Sequence, residues 1–93
     1  MPKYVTLYNY TGSIEGGGPE RFENLKKIVA EEKGEILQVY GLLGAYDVLS
    51  VSEFPDNRAA MKAAARVGNL INAKTNTMAA VERDDFLKLL SEV

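Results

Sequence analysis

The chain has 93 residues, 46% of them hydrophobic, and eleven basic against thirteen acidic side chains give a net charge of −2; this suffices for one globular domain and is too even for a phosphate-binding surface. Histidine and cysteine are both absent, which removes Ser-His-Asp and Cys-His nucleophiles, the usual ligands of zinc, copper and haem iron, and any disulfide frame. A chain this short buries only about 60–65% of the surface its unfolded form exposes, so association with a second subunit would stabilise it appreciably.

Residues 3–10 (KYVTLYNY) alternate Val5 and Leu7 with Tyr4, Thr6, Tyr8 and Tyr10, the period of a strand. Residues 11–18 (TGSIEGGG) read as a loop. Pro19 suits the first turn of a helix, where its missing N–H costs nothing, and Phe22, Leu25, Ile28 and Val29 recur at helical spacing. Gly34 is expected to cap that helix. Residues 35–43 form a second strand, Gly44-Ala45 a tight turn, and residues 46–54 a third strand, together a hairpin. Asp56 is the expected N-cap of a helix over residues 58–70, whose alanines (Ala59, Ala60, Ala63, Ala64, Ala65) let it lie close on a sheet. Residues 72–82 form a fourth strand. A short amphipathic helix follows over residues 84–93, crowding Phe86, Leu87, Leu89 and Leu90 together, with Asp84 as its cap.

The order β-α-β-β-α-β-α predicts one α+β domain over residues 1–93. Its architecture is ferredoxin-like βαββαβ with an extra C-terminal helix and both main helices on one face of an antiparallel sheet. The other face is bare, and is expected to expose Thr6, Tyr8 and neighbouring aliphatic groups, a patch larger than soluble monomers usually carry. A second copy should cover it. No apolar run approaches the ~20 residues needed to cross a bilayer. The first strand starts at Lys3, leaving no room for a signal peptide. With cysteine absent, these features make the cytoplasm the expected location.

Gly44-x-Tyr46-Asp47, the alternating strand after it and Glu53-Phe54-Pro55-Asp56 resemble the GYD family of small bacterial and archaeal proteins. Gly68, Thr75-x-Thr77 and the opening KYVTLYNYT fit the same pattern, so the resemblance spans nearly the whole chain. One departure is Met78-Ala79-Ala80, where that family often has larger apolar residues. The resemblance implies a dimeric α+β barrel, in which two ferredoxin-like sheets face each other across a two-fold axis. It implies no settled activity. A looser similarity joins the Gly-x-Tyr-Asp hairpin and the Thr-x-Thr strand to the effector-binding domain of Lrp/AsnC-type regulators, whose hairpin lies at subunit contacts where small effectors bind. Monooxygenases, chlorite dismutase-like haem proteins and isomerases share the barrel superfamily.

Seven residues are candidate ligand contacts: Tyr8, Tyr40, Tyr46, Asp47, Ser50, Thr75 and Thr77. Each also has a structural reading. Gly44 permits a turn, Tyr46 packs across the sheet, and Asp47 bonds turn amides. Ser50 and Ser52 are unusual in a covered strand, because a buried hydroxyl needs a partner. They satisfy each other across a dimer, hold water, or line a polar pocket. Gly16-Gly17-Gly18 precedes a helix but lacks the Gly-Lys-Ser/Thr that completes a phosphate loop. Asp47 and Glu53 lie ~20 Å apart along one strand at ~3.3 Å per residue, too far to work as a pair. No catalytic residue, metal or cofactor is expected. The resemblance to effector-binding domains, together with the polar strand face, implies an oligomeric small-molecule-binding module, at least a homodimer, and no nucleic-acid or membrane partner is expected. The competing reading is a cofactor-free monooxygenase or isomerase using tyrosines as proton donors, an analogy of fold.

Overall fold

The structure, a computed structural model, describes residues 1–11 and 18–93. The expected 11–18 loop and its glycine run therefore lie almost wholly outside the described residues. The elements are β1 Lys3–Tyr10, α1 Gly18–Glu31, β2 Glu35–Gly41, β3 Val48–Glu53, α2 Asn57–Ile71, β4 Ala73–Ala80 and α3 Arg83–Ser91. The strands form one antiparallel sheet in the order β2-β3-β1-β4. This is the ferredoxin-like α+β arrangement, with α1 and α2 layered on one face.

The core fixes which face that is. Leu25, Ile28 and Val29 of α1 and Ala60, Ala63 and Val67 of α2 cluster with Tyr4 and Tyr8 of β1, Phe54 and Ala73. Tyr4, Thr6 and Tyr8 are buried, while Val5 and Leu7 between them are only half-buried. On β3 the buried residues are Ser50 and Ser52, and Leu49 and Val51 point the other way. The expectation that Thr6 and Tyr8 lie on the bare face is therefore reversed: they sit under the helices, and Val5, Leu7, Leu49 and Val51 form the uncovered face. Thr6, Tyr8 and Ser50 tolerate the covered face because their hydroxyls are hydrogen-bonded there, so the desolvation cost of each is offset.

Local chemistry explains the element ends. The Asp56 side chain accepts a hydrogen bond from the Ala59 amide at 2.9 Å, the expected N-cap of α2. At the end of α1 it is Lys33, not Gly34, that takes positive φ (67°). Gly34 is needed for a different reason: a Cβ there would stand 2.5 Å from Cδ1 of Phe54 and 2.6 Å from the Glu53 carbonyl oxygen. Asn72, expected in β4, instead ends α2 at φ 50° and donates its amide to the Gly68 carbonyl. The tight Gly44-Ala45 turn is a longer connection over residues 42–47, with Gly44 at φ +127°. Glu82, rather than Asp84, stands at the N-cap of α3, and its side chain makes no capping bond.

Candidate functional site

On the covered face two pairs of hydroxyls form a short ladder across the strands. Thr6 lies opposite Thr77 in the β1–β4 register, and their Oγ1 atoms share a hydrogen bond of 2.9 Å. One pleat along, Tyr8 Oη and Ser50 Oγ share one of 2.8 Å. Tyr4 Oη donates to Asn57 Oδ1 of α2 at 2.6 Å, and its ring meets Phe54 edge-on, centroids 5.8 Å apart. Among the described residues, no buried side-chain nitrogen or oxygen lacks a partner. Burial pushes the Tyr8 phenol above its ordinary pKa, opposed by its hydrogen bonds with Ser50 and Thr6. Near neutral pH Tyr8 is thus a protonated, engaged phenol.

Between this ladder and the helices lies a cavity of ≈ 20 Å³, bordered by Tyr8, Ser50, Ser52, Thr75, Thr77 and by Ala60, Ala63 and Ala64 of α2. That is room for about one water. Ala60, Ala64, Thr75 and Thr77 are shared with a larger groove of ≈ 400 Å³ between α2 and the edge strand β4. Tyr4, Asn57, Met61 and Ala79 complete its wall. The groove is within the size range of small-molecule sites, and none of its lining residues carries a formal charge. It exists because Ala60 and Ala64, one helical turn apart, leave space where larger side chains would close on β4.

The structure divides the seven sequence candidates into three places. Tyr8, Ser50, Thr75 and Thr77 gather at the inner cavity, and the two threonines also reach the groove. Tyr40 pairs with Leu49 on the uncovered side of the sheet and is 49% exposed. Tyr46 and Asp47 are half-buried in the β2–β3 connection. There Asp47 Oδ2 accepts from the Tyr10 amide at 2.9 Å, and the Asp47 amide donates to the Tyr8 carbonyl at 2.9 Å. Asp47 thereby closes the end of the β1–β3 ladder.

Tyr4, Asn57, Ala60, Met61, Ala64 and Ala79 are not among the ligand contacts expected from sequence. The Ala60/Ala64 spacing was the available signal, read only as close packing. Among the described residues no three Asp or Glu side chains gather into a metal-binding group, and no helix is long and apolar enough to cross a membrane.

The fold is shared with solved regulatory proteins at low sequence identity. The leucine response regulatory protein of Mycobacterium tuberculosis matches at TM-score 0.66 and 15% identity, over 87% of this chain and 51% of that one. A feast or famine regulatory protein of the same organism, solved in complex with L-methionine, matches at TM-score 0.68 and 12% identity, over 88% and 51%. A Thermus thermophilus protein matches at TM-score 0.58 and 19% identity, over 88% of this chain and 95% of that one. The chain thus spans about half the length of the regulators. No curated protein matches it. The family model described as the GYD domain matches residues 4–90, and the chain belongs to the GYD domain family.

Proposed function

We propose that this protein is a small-molecule-binding module, effector-like in character, that works as a homo-oligomer of at least two chains. The observation that carries the reading is the groove between α2 and β4, which opens onto the hydroxyls of Thr75 and Thr77. Its walls are apolar (Ala60, Met61, Ala64, Ala79), with hydroxyl and amide groups at fixed points (Tyr4, Asn57, Thr75, Thr77). Such a lining favours an uncharged molecule with an apolar body and one or two hydrogen-bonding groups, because a charged group would be desolvated without a counter-charge. The groove between α1 and β2 is larger, at ≈ 520 Å³, but brings no hydroxyl side chain to its wall. The aliphatic uncovered sheet face supports the oligomer. A cysteine-free chain suits a reducing compartment, so we place the protein in the cytoplasm.

The test is an amide NMR titration of the isotopically labelled protein with a pool of uncharged amphiphiles, including phenols, indole, short amides and lactones. Shifts should cluster at Asn57, Ala60, Ala64, Thr75, Thr77 and Ala79. They should vanish in Ala64→Leu, which fills the groove. Shifts that cluster elsewhere, or that survive in Ala64→Leu, would refute the assignment.

A further inference from the structure

Among the described residues, the polar side chains on the wall of the α2–β4 groove are Tyr4, Asn57, Thr75 and Thr77. They do not treat hydrogen-bond donors and acceptors alike. The two threonine hydroxyls donate or accept by rotating, so they favour neither kind of ligand. Tyr4 is 3% exposed, which leaves little of it for a ligand to touch. Asn57 is exposed, and its amide has an acceptor on one side and two donor hydrogens on the other. Which side is left for a ligand depends on what holds the other.

What holds Asn57 is Tyr4. The phenol Oη donates to Asn57 Oδ1 at 2.6 Å, a length usual for O–H···O and below the usual N–H···O range. The short contact therefore marks the amide oxygen. Turning the amide over would set its NH2 group against the phenol oxygen and strip the phenol hydrogen of its acceptor. The ring cannot readily follow such a turn. Tyr4 lies between Ser52 of β3 and Ala79 of β4 in the sheet, and meets Phe54 edge-on with centroids 5.8 Å apart. Nor is Asn57 engaged elsewhere. The N-cap of α2 is Asp56, whose carboxylate accepts from the Ala59 amide at 2.9 Å. Among the described residues nothing accepts from the NH2 group of Asn57.

We infer that Tyr4 is a specificity-determining residue of this groove: by holding Asn57 Oδ1 it reserves the amide NH2 for the ligand, and so selects uncharged molecules that carry a carbonyl. The inference rests on the groove being the ligand site, as proposed above. A ketone, lactone or amide oxygen accepts from Asn57 while the Tyr4 bond stays intact. A molecule whose polar group only donates, such as indole, meets an Asn57 oxygen that is already engaged and faces Tyr4. The threonines serve both classes equally, so the difference falls on Asn57. Water competes for the same exposed amide, which keeps the discrimination modest. One neutral hydrogen bond won against water changes a dissociation constant about threefold to tenfold.

The experiment compares two probes with bicyclic bodies of similar size, indanone with its carbonyl and indole with its N–H. Dissociation constants come from amide NMR titrations of the full chain, followed at Ala60, Ala64 and Thr77. The quantity read is the indole constant divided by the indanone constant. Comparing this ratio between proteins cancels the probes' own hydrophobicities. Asn57→Asp keeps an oxygen for Tyr4 and exchanges the NH2 group for a second acceptor. It should lower the ratio about tenfold to a hundredfold, since indanone loses a bond and indole gains one. Tyr4→Phe frees the amide to present either side, and should lower the ratio about threefold. A ratio unmoved by Asn57→Asp, with both probes still shifting the groove amides, overturns the selection and leaves the groove standing. A ratio that falls in Asn57→Asp but not in Tyr4→Phe overturns the role of Tyr4. If neither probe shifts those amides in the wild-type chain, or the shifts survive in Ala64→Leu, the groove and the selection fall together.

Discussion

The pairing of Tyr8 with Ser50 gives the sharpest test of how the covered face is held. Both side chains are deeply buried, at 5% and 2% exposure, and their oxygens are 2.8 Å apart. Tyr8→Phe removes one hydroxyl and leaves Ser50 without its partner. The loss combines a hydrogen bond worth about 0.5–1.5 kcal/mol net with the cost of a stranded buried polar group, about 1–3 kcal/mol. Ser50→Ala removes one of the two contacts of the Tyr8 phenol, leaving it Thr6, and should cost about 1–2 kcal/mol. The double variant removes both groups, so no hydroxyl is stranded, and its loss should stay near that of one single variant. The expected coupling is therefore about 1–2 kcal/mol. Urea unfolding followed by far-UV circular dichroism measures it, at one fixed protein concentration because an oligomer's stability depends on concentration. Single losses that simply add in the double variant would refute the argument, since two hydroxyls satisfied elsewhere would show no coupling.

The same phenol predicts an alkaline limit. Because burial raises the Tyr8 pKa above the ordinary phenol value of 10.0, the unfolded chain releases this proton first as pH rises. The stability contributed by the protonated form is complete below pH 10 and is lost as pH climbs through the folded value. Tyr8→Phe should flatten that limb of a stability–pH profile, and an unchanged limb would assign it to other groups. Gly34→Ala should destabilise by about 1–3 kcal/mol or more, read as a lowered Tm, because its Cβ meets the Phe54 ring and the Glu53 carbonyl; an unchanged Tm would contradict the close approach. Asp47→Ala should accelerate hydrogen exchange at the Tyr10 amide, whose acceptor is the Asp47 carboxylate. Asp47→Asn, which keeps an acceptor oxygen, should do so less, and equal exchange in all three proteins would exclude the bond.

Much of the fold is legible in residue order because the periods are clean. Alternation in KYVTLYNY, the helical stripe of Phe22, Leu25, Ile28 and Val29, and the Asp56 cap each point to one local structure, and the elements follow. What alternation does not say is which side of a strand faces the helices. Tyr4, Thr6 and Tyr8 look like the wetter side, and Val5 and Leu7 the drier one. The structure inverts this because the hydroxyls of the first set find partners in Asn57, Thr77 and Ser50. Those partners are distant in sequence, so their pairing is invisible until the strands are aligned. Gly34 illustrates the same limit: its place at a helix end is readable, yet the ring of Phe54 that requires it comes from β3's far end.

The candidate site was legible in part for the same reason. Thr75, Thr77, Tyr8 and Ser50 stood out as polar residues on strands and do gather at one cavity. Tyr40 and the Tyr46-Asp47 pair lie elsewhere. A spacing motif groups residues by chain position, while the sheet separates its outer face from its inner one. The alanines of α2 carried the missing information, since a groove is made by side chains that are absent.

Native mass spectrometry of the gently ionised wild-type protein, incubated with the amphiphile pool and compared with Ala64→Leu, tests the binding-module account most directly. The account predicts a dimer or larger assembly that retains a small organic mass, with the retained mass lost in Ala64→Leu. A monomer, or an assembly that retains nothing from the pool, would contradict it.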